Sequence, residues 1–256
     1  MIFSTLFKAS MKTQFADRTN FFVDIFASGL SILSDFILIV FLLGSMRTIK
    51  GWTLAELAFI YGITEGGWGF FRLFGEGLHN FEDLIVTGKF DTFLLRPVSP
   101  IIQIMLQKID FKRAGIIIQA VAVGLWGVYN IESDFSLVFW FFLLMFFSVI
   151  MTFEINIFLA SIAFWTTRNK DIIVLAFYST KNASYYPADI YNRLIRGIIT
   201  FIIPVATTGY YPLSFLTGKS GNVFYLASPA IACTLLILPC AIIWNTGLKK
   251  YTGSGT

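Results

Sequence analysis

Charged residues are scarce in this sequence. They make up 13% of its 256 residues, whereas hydrophobic residues make up 56%. An average soluble protein has about 25% charged residues. A soluble fold of this composition would need a very large core with too little polar surface to cover it. The composition therefore predicts a membrane protein.

Histidine and cysteine are also rare, with one His and two Cys in the chain. His79 has no second His and no Cys near it in the sequence, so we expect no metal site. Cys233 and Cys240 lie inside an apolar run, on one face of a helix, and we expect them to be buried, reduced and unpaired. No basic run with interleaved aromatic residues is present, so we expect no nucleic-acid partner.

Long hydrophobic runs are what the sequence has instead. A transmembrane helix needs about 20 mostly apolar residues. Hydropathy predicts six such helices, over residues 21–45, 54–78, 111–130, 136–164, 172–186 and 223–247. The expected fold class is an all-α polytopic membrane protein, with residues 1–256 forming one transmembrane domain.

Two further segments accompany the six predicted spans. In residues 1–20, Phe3, Leu6, Phe7 and Met11 follow helical spacing, which predicts an interfacial helix on the membrane surface, a frayed terminus being the alternative. Residues 187–221 are apolar but broken at Pro204 and Gly209, which predicts an external re-entrant segment. The alternative makes this run a seventh span and places the C-terminus outside.

The distribution of Lys and Arg sets the expected orientation. With the N-terminus in the cytoplasm, most basic residues, Lys249 and Lys250 among them, fall on the cytoplasmic side. Both termini are then cytoplasmic. The basic residues predicted to lie outside are Arg47, Lys50, Lys181, Arg193, Arg196 and Lys219.

Several charged residues fall inside the predicted spans, where charges are costly and are either paired or functional. Asp35, Glu65 and Glu154 are expected near mid-membrane. Asp24 and Arg72 lie nearer the cytoplasmic side and could pair, although Arg72 also has Glu76 four residues later. Two interpretations stay open for these residues: a transport pathway, or hydrogen-bonded connections between helices.

The cytoplasmic connection over residues 79–100 predicts a short amphipathic helix against the inner membrane face, a loop at the interface being the alternative. Phe81, Leu84 and Ile85 form one apolar stripe, and Phe90, Phe93 and Leu94 form another after Gly88. Pro97 ends any helix because it lacks an N–H. The polar residues expected to face the cytoplasm are Glu82, Asp83, Lys89, Asp91 and Arg96.

Part of this connection, "GKFDTFLLRPVSP" (Gly88 to Pro100), resembles a conserved segment of permease subunits of type-2 ABC exporters. More narrowly, the chain is similar to a bacterial subfamily whose permeases occur in pairs. The resemblance extends to "FW" at Phe164–Trp165, to "YYPADIYNRLIRGIITFIIPVATTGYYPLSFLTGK" from Tyr185 to Lys219, and to the ending "KKYTGSG".

The resemblance implies that residues 79–100 contain a coupling helix that docks on a separate ATPase subunit. The residues implied in coupling are Glu82, Asp83, Gly88, Lys89, Asp91, Arg96 and Pro97. It also implies a bacterial cytoplasmic (inner) membrane location, a second permease that is identical or homologous, and contact with membrane lipid. The chain itself would hold no cofactor and would not be an enzyme; ATP and Mg would bind the ATPase partner.

The sequence also indicates that nucleotide binds to another subunit and not to this chain. "GKS" at Gly218–Ser220 imitates the end of a Walker A loop, but Leu213 stands where the first glycine is required. An alternative function is a self-contained channel or a proton- or cation-coupled secondary transporter that uses the buried acids. We found no internal repeat, the usual mark of secondary transporters.

Overall fold

The structure, a computed structural model, describes residues 18–44, 48–131, 136–166 and 170–252. The predicted interfacial helix of residues 1–20 lies almost wholly outside the described residues. In chain order the α-helices are α1 (Arg18–Gly44), α2 (Leu54–Phe74), α3 (Glu76–His79), α4 (Phe81–Val86), α5 (Asp91–Leu94), α6 (Pro100–Gln107), α7 (Ala114–Asn130), α8 (Ser136–Ser161), α9 (Ala163–Thr166), α10 (Lys170–Ser184), α11 (Arg193–Gly197), α12 (Tyr210–Leu216) and α13 (Phe224–Lys250).

Helix α2 lies at the centre of the bundle and is buried along nearly its whole length. It begins with a capping box, in which the Thr53 hydroxyl accepts from the Glu56 amide and the Glu56 carboxylate accepts from the Thr53 amide. Its glycines bring neighbouring helices into backbone contact: a Cβ at Gly62 would lie 2.6 Å from the Cα of Gly124 in α7. Such small residues let membrane helices pack closely.

Four segments are long and apolar enough to cross a membrane. They are Arg18–Leu43, Phe111–Asn130, Ser136–Thr166 and Phe224–Lys250, in agreement with four of the six predicted spans. Each keeps a largely exposed apolar surface, as in α1, where Phe26 and Phe41 are more than 70% exposed. These surfaces fit contact with lipid, and the chain is a multi-pass membrane protein.

The other two predicted spans differ from these four. Helix α2 has 21 residues, or about 31 Å at 1.5 Å per residue, but Glu56, Glu65 and Arg72 lower its hydropathy. Helix α10 has only 15 residues, about 22 Å. After Ser184 the chain continues as irregular backbone to Asp189, beside Trp52. The count of six spans therefore stays a prediction.

The predicted re-entrant region is a bent helix pair. Arg193–Ile202 and Val205–Leu216 meet at 82°, with Pro204 at the break. Helix α12 then packs against α13. The bend fits either a re-entrant segment or a broken span, the latter giving a fifth crossing.

The two ends of the bundle carry different segments. At one end the aromatic rings of Phe81 and Phe90 pack on Trp244 and Tyr251 near the end of α13, with centroid distances of 5.3 and 5.1 Å. The connection over residues 79–100 and the C-terminal lysines thus share one end, as the orientation prediction requires. At the other end, the Lys50 ammonium donates to the Asp189 carbonyl at 2.6 Å.

Close packing at the α2–α7 contact gives a stability prediction. Gly62→Ala forces a methyl group into backbone atoms of α7, so we expect a loss of about 1–3 kcal/mol, as in other overpacked cores. Gly197→Ala is the matched control, because a Cβ there meets nothing within 4 Å. Thermal unfolding of the purified protein in detergent measures both. Equal melting temperatures for the two variants would contradict the contact.

Candidate functional site

The first candidate site is the connection between α3 and α6, residues 79–100. Phe81, Leu84 and Ile85 of α4 are all buried, which confirms the first predicted apolar stripe. The Phe81 ring lies 5.1 Å from Phe164 and 5.3 Å from Trp244. The apolar face of α4 is therefore fixed against the transmembrane helices and does not face lipid.

The second half of this connection turns at Gly88, whose φ of +68° is the left-handed conformation that favours glycine. Two short helices, α4 and α5, replace the single helix that we predicted. Phe90 and Phe93 are buried, but Leu94 is 44% exposed, so the second stripe is wrong at Leu94. Helix α5 is a single turn, Asp91–Leu94, and of its four residues only Phe93 is buried.

The opposite face is polar and open. Asp83, Lys89, Arg96 and Pro97 are exposed, whereas Glu82 and Asp91 are half-buried. The Arg96 guanidinium lies 6.0 Å from the Phe93 ring centroid. Beside this face is a notch of about 260 Å³, lined by Gly77, Asn80, Asp83, Leu84, Thr87, Lys89, Gln107 and Lys108.

Two residues that sequence reasoning missed hold this connection in place. The Gln103 side-chain amide of α6 donates to the carbonyls of Phe93 (2.9 Å) and Val98 (2.7 Å) and so fixes the backbone around Pro97. A lone amide inside the apolar run "PIIQIMLQ" was the available signal. Tyr251 packs on Phe90, and burial together with the neighbouring Asp91 raises the pKa of Tyr251 to about 12, so its phenol stays neutral.

The second candidate site is a charged cluster inside the bundle, where the structure brings Asp35 and Glu65 together. The Lys181 ammonium of α10 lies 2.9 Å from Glu65 Oε1 and 3.6 Å from Asp35 Oδ2. The Tyr185 hydroxyl donates to both carboxylates, at 3.3 Å for Asp35. We name these four residues, Asp35, Glu65, Lys181 and Tyr185, the acidic cluster.

Lys181 corrects the orientation analysis, which placed it in an external segment. Its side chain is 7% exposed and lies between the Trp68 and Tyr185 rings, 5.5 Å from each centroid. The sequence carried a signal, since Lys181 and Tyr185 are i, i+4 neighbours on one helix face. With Lys181 inside the bundle, the excess of basic residues on the predicted cytoplasmic side becomes larger.

Asp35, Glu65 and Lys181 of the acidic cluster line a cleft of about 480 Å³ between α1, α2, α7 and α10. Glu65 Oε2 and Trp68 Nε1, both buried, have no hydrogen-bond partner among the described residues. Arg72, Arg113 and three serines of α1 also line the cleft. The cleft thus combines both signs of charge with unsatisfied polar atoms.

Glu154 lies apart from the acidic cluster, against α13. It is 7% exposed, and neither carboxylate oxygen has a hydrogen-bond partner within the described chain. Cys240 donates to the Glu154 backbone carbonyl at 3.2 Å. Cys233 and Cys240 are both buried and free, as predicted. The three mid-membrane acids therefore do not form one site.

The pairing suggested between Asp24 and Arg72 is not what the structure shows. Asp24 pairs with Lys112 at 2.5 Å, because α1 runs alongside the start of α7. Arg72 pairs with Glu76 at 3.5 Å, the i, i+4 alternative, and donates to the Tyr178 hydroxyl at 3.3 Å. Arg72 therefore belongs to the cleft wall.

His79 and Lys219 both have structural partners. A ring nitrogen of His79 lies 3.2 Å from Asn156 Oδ1, and among the described residues no group of three His, Cys, Asp or Glu side chains could hold a metal. The Lys219 ammonium of "GKS" contacts Glu56 Oε1 at 3.1 Å and the Gly51 carbonyl at 2.7 Å. The lysine of the imitated Walker motif is thus bound to the α2 N-terminus.

Comparison with protein families identifies the chain. The model of the ABC-2 family transporter proteins matches residues 30–255. The chain belongs to the ABC-2 transporter family. It is therefore a permease, the membrane component of an ABC transporter rather than its ATPase. A search of curated proteins found no match.

The acidic cluster gives this permease a testable energetic signature. Lys181→Met leaves two carboxylates without their cation, and breaking a buried pair in this way costs about 3–5 kcal/mol. We expect Lys181→Met/Glu65→Gln to recover part of that loss, because it removes the more deeply buried of the two uncompensated carboxylates. Denaturant unfolding of the single and double variants measures the coupling.

Glu154, which lies apart from the acidic cluster, supplies the control. Glu154→Gln with Lys181→Met should show simple additivity, since Glu154 does not contact the acidic cluster. Recovery by Glu154→Gln as large as that by Glu65→Gln would contradict the assigned pairing.

Proposed function

We propose that this permease forms the translocation pathway of an ATP-driven exporter and docks on separate ATPase subunits through residues 79–100. The observation that carries the proposal is that this connection has one buried aromatic face and one exposed charged face. One face is locked by Phe81 and Phe90 against α9 and α13, and the other exposes charges of both signs around the notch. A rigidly attached polar surface can both bind a partner and transmit its displacement.

The charges of the connection favour a soluble partner over lipid. Asp83 and Lys89 line the same notch, and Arg96 with Pro97 lies exposed on the adjoining turn. Gln103 holds the backbone of that turn through two hydrogen bonds. A protein cleft with complementary side chains satisfies such a mixed surface, whereas an anionic membrane surface would select for basic residues alone. ATP and Mg would then bind on the ATPase partner.

A second permease is proposed to complete the membrane unit. Asp35 is 37% exposed at the side of the single chain, and hydrocarbon would leave such a carboxylate unsatisfied. A second copy, identical or homologous, would cover the cleft with protein and enclose a pathway. The exporter direction, the bacterial inner membrane and the cytoplasmic termini are part of the proposal, and the family resemblance and the distribution of Lys and Arg support them.

Purification from the native membrane tests the partners. The tagged chain should bring down a soluble ATP-binding protein and a second permease, and transport in reconstituted vesicles should require ATP. Transport by the chain alone without ATP would favour the channel or secondary-transporter alternative and would overturn the proposal.

Substitution of the exposed basic residues tests the docking surface. Lys89→Ala/Arg96→Ala should leave folding intact but lower the transport obtained per ATP hydrolysed, because the loss of two charged contacts weakens docking by about a hundredfold. Arg193→Ala, an exposed arginine at the other end of the bundle, is the control. Normal coupling in the double variant would exclude these side chains from the contact.

A further inference from the structure

The acidic cluster has one positive group for two negative ones. Glu65 takes the shorter contact with Lys181, 2.9 Å against 3.6 Å for Asp35. Tyr185 has a single hydroxyl hydrogen to share between the two carboxylates. Asp35 is therefore the less well compensated acid, and it is also the one that is exposed to the cleft.

The other end of the same cleft has the opposite surplus. Glu76 is shared by two cations, Arg72 at 3.5 Å and Lys108 at 3.7 Å. The Arg72 contact is an ion pair without a hydrogen bond, since Arg72 Nε has no hydrogen-bond partner among the described residues. Arg72 takes the shorter of the two contacts with Glu76, but unlike Lys108 it lines the cleft, so its guanidinium is a cation that this end of the cleft presents.

The separation of the two surpluses follows from helix geometry. Glu65 and Arg72 are seven residues apart on α2, two turns on one face, or about 10 Å at 1.5 Å per residue. On α1, Asp35 and Ser28 have the same spacing, and Ser28 donates to the Lys112 carbonyl beside Arg113. Two helices therefore give the cleft one acidic and one basic end.

From this arrangement we propose that the cleft binds a zwitterion, with a primary ammonium group at Asp35 and a phosphate or carboxylate at Arg72. Two buried atoms without partners among the described residues point to the same ligand. Glu65 Oε2 can accept from the ammonium group, and Trp68 Nε1 can donate to the anionic part. A volume of about 480 Å³ is in the range of small-molecule sites.

This inference rests on the proposed function only in treating the ligand as the transported substrate. Binding is measured without ATP, so its failure is separate from a failure of ATP-driven transport. A lipid headgroup and a free zwitterion share the required chemistry. The probes are lysophosphatidylethanolamine, phosphoethanolamine as its free counterpart, and lysophosphatidylglycerol, which keeps the phosphate but lacks the ammonium group.

The experiment measures binding of the three probes to the purified permease complex in detergent. Lysophosphatidylethanolamine should bind about tenfold more tightly than lysophosphatidylglycerol, the value of one charged hydrogen bond. Asp35→Asn should remove that preference, and Arg72→Gln should weaken both lysolipids. Glu154→Gln, which changes a buried carboxyl outside the cleft, should change neither. Comparable binding of phosphoethanolamine would identify a free ligand, and much weaker binding a lipid headgroup.

A second measurement keeps the test valid if a variant fails to fold. Ser31 lines the cleft and is exposed, whereas both native cysteines are buried. Ser31→Cys should therefore react selectively with a maleimide, and lysophosphatidylethanolamine should slow that reaction more than lysophosphatidylglycerol does. Equal binding and equal protection by the two lysolipids, or an unchanged preference in folded Asp35→Asn, would overturn the proposal.

Discussion

Burial of α2 at the centre of the bundle is the constraint on which the rest of the structure depends. A helix covered by protein on nearly all sides cannot satisfy its polar side chains with water or lipid headgroups, so each charge on it needs a partner from another segment. Glu56 pairs with Lys219 and Glu65 pairs with Lys181, each from a distant part of the chain, whereas Arg72 pairs with Glu76 four residues later and donates to Tyr178 of α10. The contacts with Lys219, Lys181 and Tyr178 fix what lies around α2 at three depths.

The pairs also explain why irregular backbone is tolerated inside the bundle. Helix α10 ends at Ser184, and the following residues cross to the far end as non-α-helical backbone with one 3₁₀ turn at Ala188–Ile190. Their polar groups are used there: the Ser184 carbonyl accepts from Thr64 at 3.3 Å, and the Asp189 carboxylate accepts from Trp52 at 3.2 Å. Non-helical backbone at membrane depth persists only where protein satisfies it, and α2 with its N-terminal turn provides that protein.

Composition and periodicity were sufficient for the membrane class, for four spans and for the apolar stripe of α4, because each depends on sequence-local hydrophobicity. They were not sufficient where contacts between distant parts of the chain determine the position of a side chain. Nothing near Lys181 in the sequence shows that Asp35 and Glu65 surround it, because both residues lie more than 100 positions away along the chain. The prediction for Leu94 was wrong for a related reason. The length of α5 depends on the turn at Gly88 and on the hydrogen bonds that Gln103 donates to the backbone.

The placement of the buried acids was only partly correct, again because contacts between distant parts of the chain determine it. Depth is predictable from residue count along a helix, but the rotation of a helix about its axis depends on its neighbours. Asp35, Glu65 and Glu154 were expected at one depth, and that depth argument cannot tell that Glu154 faces α13 while the other two face α10. The structure separates an acid that meets a cation from one that lies against cysteines and apolar residues.

The two candidate sites are joined by a short run of charged groups. Lys108 lines the notch beside residues 79–100 and lies 3.7 Å from Glu76, which lies 3.5 Å from Arg72 in the cleft wall. Glu76 therefore divides its negative charge between Lys108 in the notch and Arg72 in the cleft wall. If residues 79–100 dock on a partner as proposed, a displacement of Lys108 would leave Arg72 as the remaining partner of Glu76. Contiguous ion pairs are one physical route for coupling between distant sites, and here the route would consist of two ion pairs that share Glu76.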